Sequence, residues 1–164
     1  MYHLLVGLAQ WLNDTQISTY LRENDWAFPI IESVHLLSLG ASVGTILWLD
    51  LRLLGLTYSD VSLPEVIQGI EPWAIGGFSA MFASGFLLIL AEPLKCATNW
   101  TFGLKMLGVL MAGVNVLYFH KKIMPDIGEH KLDQELTWQA KMVGGTSLVL
   151  WLAIIVLGRW FAYF

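Results

Sequence analysis

Apolar residues run through this chain in four long blocks, at about 28–56, 73–93, 101–122 and 137–162, each near or above the roughly 20 residues a helix needs to cross a bilayer. The segments between them, TYSDVSLPEVIQGIEP, PLKCATNW and KKIMPDIGEHKLDQEL, are polar and carry Pro, Gly or Asn as turn-formers. Residues 2–22 follow a different pattern. Leu4, Leu5, Leu8, Trp11 and Leu12 alternate with Gln10, Asn13, Asp14 and Gln16, a helical stripe too polar to span. The pattern predicts an all-α integral membrane protein: a four-transmembrane-helix bundle preceded by an amphipathic surface helix, with residues 1–164 forming a single membrane domain.

Composition agrees with that architecture. Hydrophobic residues make up 56% of the 164 and charged residues only 13%, about half the share of a soluble domain. A net charge of −4 argues against a nucleic-acid partner, which needs a basic face. Cys96 is the sole cysteine, so neither an intramolecular disulfide nor a CxxC motif can form. The opening MYHLLVGLAQWLNDTQ lacks a basic stretch and a small-residue cleavage site, and the first span is expected to direct insertion itself.

Charge at the span ends sets an expected orientation. Arg52, Lys121, Lys122, Lys131 and Lys141 fall on one side and Arg22, Lys95, Lys105 and Arg159 on the other. This split points the middle loops to the cytoplasm of a bacterial inner membrane and both termini to the periplasm. Trp11, Trp26, Trp73, Trp100, Trp138 and Trp160 fall near the expected interfaces, where an amphipathic indole belongs.

Ionisable residues inside the spans carry the candidate chemistry, because they are expensive in hydrocarbon and normally face protein or water. Glu32, His35, Ser42 and Asp50 lie within about 80° of one another on the first span. Lys141 and Arg159 on the fourth are about five turns apart, as are Glu32 and Asp50. If these antiparallel spans pack side by side, Glu32 meets Arg159 near one surface and Asp50 meets Lys141 near the other. Such pairs serve either as register-fixing ion pairs or as stations on an ion path. Lys105, on a third-span face with Gly108, Ala112 and Asn115, lies at the level of Glu92 and Glu32 and suggests a further pair. Gly40 and Gly44, with Gly76, Ala80 and Ser84, form small-xxx-small patterns expected to pack helices closely.

His35 within the first span and His120 at the end of the third are the candidate metal ligands, with His3 and His130 outside. In a four-helix membrane bundle such residues commonly serve as axial ligands of b-type haem. A single haem bridging His35 and His120 fails on depth: the first and third spans run parallel, which leaves the two residues on the order of 18 Å apart along the bundle. Each histidine would need another partner, His3 or Met106 for His35, His130 or Met142 for His120, or a residue of a second copy. Arg52 and Lys105 are candidate propionate partners. The plainer reading keeps His35 hydrogen-bonded within its helix near Glu32, and His120 as an interfacial residue beside Lys121 and Lys122.

The runs FPIIESVHLLSLGASVGTILWLDLRLLGL, WTFGLKMLGVLMAGVNVLYFH and SLVLWLAIIVLGRWFAYF resemble an uncharacterised family of short bacterial four-helix membrane proteins. Its signature, ExxH followed by DLRLLG, matches Glu32, His35, Asp50, Arg52 and Gly55, with Lys105, Asn115 and His120 from the third span. The architecture is also similar to CopD-type membrane domains and small b-type cytochromes, although the methionine- and histidine-rich runs of a copper-collecting surface are missing. Architecture alone does not fix function.

Three functions compete. A haem b electron carrier would work between quinone and a redox partner protein, and transport of protons or a copper-like metal would use Glu32, His35, Asp50 and Lys105. The third is a non-catalytic, self-associating subunit of a larger complex. A self-contained enzyme has the least support, since no nucleophile–base pair, phosphate loop or hydrolase metal spacing is present.

Overall fold

A computed structural model describes residues 2–57, 61–127 and 136–163, which are helical throughout apart from short turns. In chain order the elements are α1 (Tyr2–Asn13), α2 (Gln16–Glu23), α3 (Ala27–Leu53), α4 (Leu63–Ala91), α5 (Pro93–Thr98), α6 (Trp100–Tyr118), a π-helical turn (Phe119–Ile123), α7 (Met124–Ile127) and α8 (Trp138–Tyr163). Four stretches, Ala27–Leu53, Leu63–Ala91, Trp100–Ile123 and Trp138–Tyr163, are long and apolar enough to cross a membrane, with mean hydropathy of 1.6 to 2.0.

The expected single surface helix is two. Asp14 and Thr15 break it: the Thr15 hydroxyl donates to the Leu12 carbonyl at 2.7 Å and accepts from the Ser18 amide at 3.3 Å, capping α2. Arg22 then ties this pair to the bundle, donating to Asn13 Oδ1 at 2.9 Å and to the Ala91 carbonyl at the end of α4 at 3.4 Å. Asn24 starts α3 by accepting from the amides of Trp26 and Ala27, both at 3.0 Å. At its far end Gly55, with φ of 77°, lets the Leu56 amide reach back to the Leu51 carbonyl at 2.9 Å. The Gly of the DLRLLG run is thus a helix stop.

The second span begins ten residues before the predicted position 73, at Leu63. Pro64 occupies the first turn, where its missing N–H costs nothing, and Leu63, Val66, Ile67 and Ile70 bury one face at helical spacing. A half-polar amphipathic turn lengthens the helix before the apolar block starts. Pro72 is absorbed inside it.

Two apolar clusters fill the bundle. Near the α3–α4 turn, hereafter the loop end, Leu49 and Leu53 meet Ile67 and Ile70 of α4, Phe119 and Ile123 of the π turn, and Val143 of α8. At mid-height Met81 of α4, Ala112 of α6, and Trp151 and Ile154 of α8 pack with Leu39, Val43 and Ile46 of α3. The close helix approaches are at glycines other than the predicted ones. A Cβ on Gly77 would lie 2.9 Å from the Ser42 backbone nitrogen, and one on Gly144 would lie 3.0 Å from the Asp50 carbonyl oxygen. Gly40, Gly44 and Gly76 face open space, because Gly40 and Gly44 sit on the side of α3 opposite its buried residues.

Candidate functional site

His35 lies on the core-facing side of α3 toward the end of the bundle that carries α1, α2 and the end of α8, hereafter the terminal end. Its Nδ1 is 3.0 Å from the Met81 carbonyl and 3.1 Å from Ser84 Oγ, both on α4. A carbonyl only accepts, so Nδ1 carries a proton, and in the neutral ring Nε2 keeps the lone pair. Ser84 Oγ sits 2.6 Å from the Ala80 carbonyl of its own helix. Gly85 makes room for the ring: a Cβ there would approach Cε1 to 3.1 Å. The predicted intrahelical bond to Glu32 is replaced by this cross-helix anchor; Glu32 is exposed and acts on the ring only through its charge.

Lys105 brings the opposite charge to the same region from α6. Its Nζ lies over Gly158 of α8, where a Cβ would be 3.4 Å away. Among the described residues it makes no ion pair with Glu92 or Glu32; the groups it influences are His35 and Cys96. The terminal half of the bundle thus holds an imidazole oriented from α4, with the Lys105 amine in the same region and in no ion pair among the described residues.

Neither predicted ion pair between α3 and α8 forms among the described residues. Arg159 is exposed and donates to the Tyr163 hydroxyl at 3.1 Å, lying over that ring at 5.2 Å. The reason is packing: α8 approaches α3 closely at Gly144, but its far end lies against α5 and α6, with Phe161 touching Phe102 and Lys95. Asp50 is 3% exposed, has Ser147 as its polar neighbour and leaves Oδ2 without a hydrogen bond, while Lys141 sits half-buried elsewhere on α8.

The remaining candidates are not brought to His35. His120 is exposed at the loop end, its Nδ1 2.9 Å from the Val116 carbonyl one turn back. Arg52 donates to the Val61 carbonyl at 3.1 Å and closes the α3–α4 connection. His130 and Lys131 lie outside the described residues. Among the described residues no group of three or more His, Cys, Asp or Glu side chains could hold a metal ion. The partners that matter, the Met81 carbonyl and Ser84, were hidden because backbone acceptors leave no mark in a sequence; only the Gly77, Met81, Ser84 spacing hints at a face turned toward α3.

Cys96, on α5 outside the spans, is buried, and burial with Glu92 nearby pushes its thiol up to about 11. The thiolate is the reactive form, so reactivity appears only as pH rises toward that value. At pH 8 maleimide labelling of the folded protein should be at least about a hundredfold slower than of the SDS-unfolded chain, read by mass shift.

No curated protein and no solved structure matches the chain. The family model described as Family of unknown function (DUF6644) matches residues 26–164, everything beyond the two leading helices, and the chain belongs to that family.

Proposed function

We propose that the protein is a membrane electron carrier that holds haem b through His35. The observation that carries this reading is the Nδ1 hydrogen bond to the Met81 carbonyl, which orients the ring and leaves Nε2 as the nitrogen that would ligate iron. Porphyrin would supply four of the iron's ligands, so His35 with one further side chain, Met106 or a residue of a second copy, would complete the set where a bare metal ion would need a cluster. Lys105, unpaired by any carboxylate among the described residues, would be the chain's partner for a propionate. When bound, haem supplies a one-electron couple. His120 and Arg52 play no part at this depth.

Proton or ion transport is the second reading, and the mid-height cluster weighs against it. Of the buried polar groups on α3 between His35 and Asp50, Ser42 turns its hydroxyl back to the Ser38 carbonyl of its own helix, and Met81, Trp151, Ile154 and Phe78 pack the same mid-height region with apolar side chains. A relay of protons needs a continuous hydrogen-bonded chain; an electron does not.

A dithionite-reduced minus air-oxidised spectrum of the purified, haem-supplied protein tests the proposal. Sharp α and Soret bands are expected in the wild type and in His120→Ala, and are lost in His35→Ala. A featureless spectrum from folded wild type, or bands that survive His35→Ala, overturns it.

A further inference from the structure

At the loop end α6 and α8 part to leave a groove of about 240 Å³, lined by Asn115, Tyr118, Trp138, Gln139, Met142 and Thr146, with Val143 at its back. We propose that it binds the ring headgroup of a membrane quinone, entering sideways from the lipid.

Depth comes first. Asn115 is eight residues before Ile123 and Thr146 eight residues after Trp138, so both sit about 12 Å inside the ends of these helices. With the helices spanning a bilayer, that places them in hydrocarbon, where an unpaired polar group is costly. Several hydroxyls in the spans are satisfied by their own helix: Ser33, Ser42, Thr45 and Ser84 each donate to a carbonyl three or four residues back. Thr146 does not. Among the described residues its hydroxyl, the Gln139 amide and the Tyr118 hydroxyl have no protein partner. Asn115 uses one N–H on the Val143 carbonyl at 3.2 Å and leaves its other polar atoms to the groove.

The lining selects the occupant. It carries no formal charge, so it offers nothing to a phosphate, and each of its free polar groups has a hydrogen-bond donor that a ring carbonyl can accept from. Trp138, Tyr118 and Met142 give aromatic and polarisable walls for a flat ring. The volume falls below the roughly 300 Å³ where sites for whole drug-sized ligands begin, fitting a headgroup whose tail remains in lipid. The quinone's role as electron donor rests on the haem reading; its binding does not.

The test is retention of a short-chain ubiquinone by the protein in nanodiscs, extracted and quantified against protein-free discs, with an isoprenoid alcohol of the same tail as the second arm. Near-stoichiometric excess of the quinone but not the alcohol is expected, with affinity about fivefold weaker for each hydrogen bond removed in Thr146→Val and Gln139→Leu. Retention equal to that of empty discs, equal retention of the alcohol, or unchanged affinity in both variants overturns the proposal. Because occupancy is read without haem, its failure leaves the His35 proposal standing, and the converse holds.

Discussion

Truncating Trp151 to alanine should destabilise the folded protein by about 3 kcal/mol, read from the midpoint of unfolding in a detergent–SDS titration. Trp151 is 6% exposed, packs at 5.3 Å and a tilt of 40° against Phe78, and joins all four spans through Met81, Ala112 and the partly buried residues of α3. In a bilayer, lipid tails are as apolar as the core, so the loss does not come from exposing a hydrophobic surface to water. It comes from contacts forfeited around a void that the neighbouring helices cannot collapse to fill. Leu152→Ala, at a position 65% exposed on the same helix, should stay within about 0.5 kcal/mol. Equal effects at both positions would show that the mid-height cluster is not a packed core.

Asp50→Asn should leave the protein as stable as the wild type or raise its stability by about 1–2 kcal/mol in the same titration. The carboxyl is buried, one oxygen is unsatisfied, and Lys141 is not bonded to it. Replacing it with a neutral isostere removes the cost of burying a carboxylate and keeps an oxygen for its one partner, Ser147. An ion pair with Lys141 predicts the opposite result, since breaking a buried pair costs about 3–5 kcal/mol. A fall of that size in Asp50→Asn, matched in Lys141→Met, would restore the salt bridge.

The four long apolar helices were legible because hydropathy and length report directly on them. The start of α4 was not, because its first ten residues mix Pro64, Glu65, Gln68 and Glu71 with the buried Leu63, Val66, Ile67 and Ile70. A polar-looking stretch can be helical when one face is buried. Helical-wheel geometry placed His35 and Asp50 toward the core, and both are there. It did not place Arg159, because sequence spacing says which side of a helix a residue occupies and not which neighbour covers that height. The same limit separates Gly76, open, from Gly77, against Ser42. The depth argument separating His35 from His120 survived because it used only rise per residue, the most rigid property a helix has.

The π turn at Phe119–Ile123 holds one residue more than an α-helix would use to reach the same point. Elsewhere in a span, adding or deleting a residue swings everything beyond it by about 100° and turns a buried face to the lipid. Here the ladder already carries the surplus, with Phe119 and Ile123 both returned to the core and His120, Lys121 and Lys122 turned out between them. The third span therefore has slack in its register at one defined height. Changes in chain length can be taken up there without rewinding the polar centre near its other end.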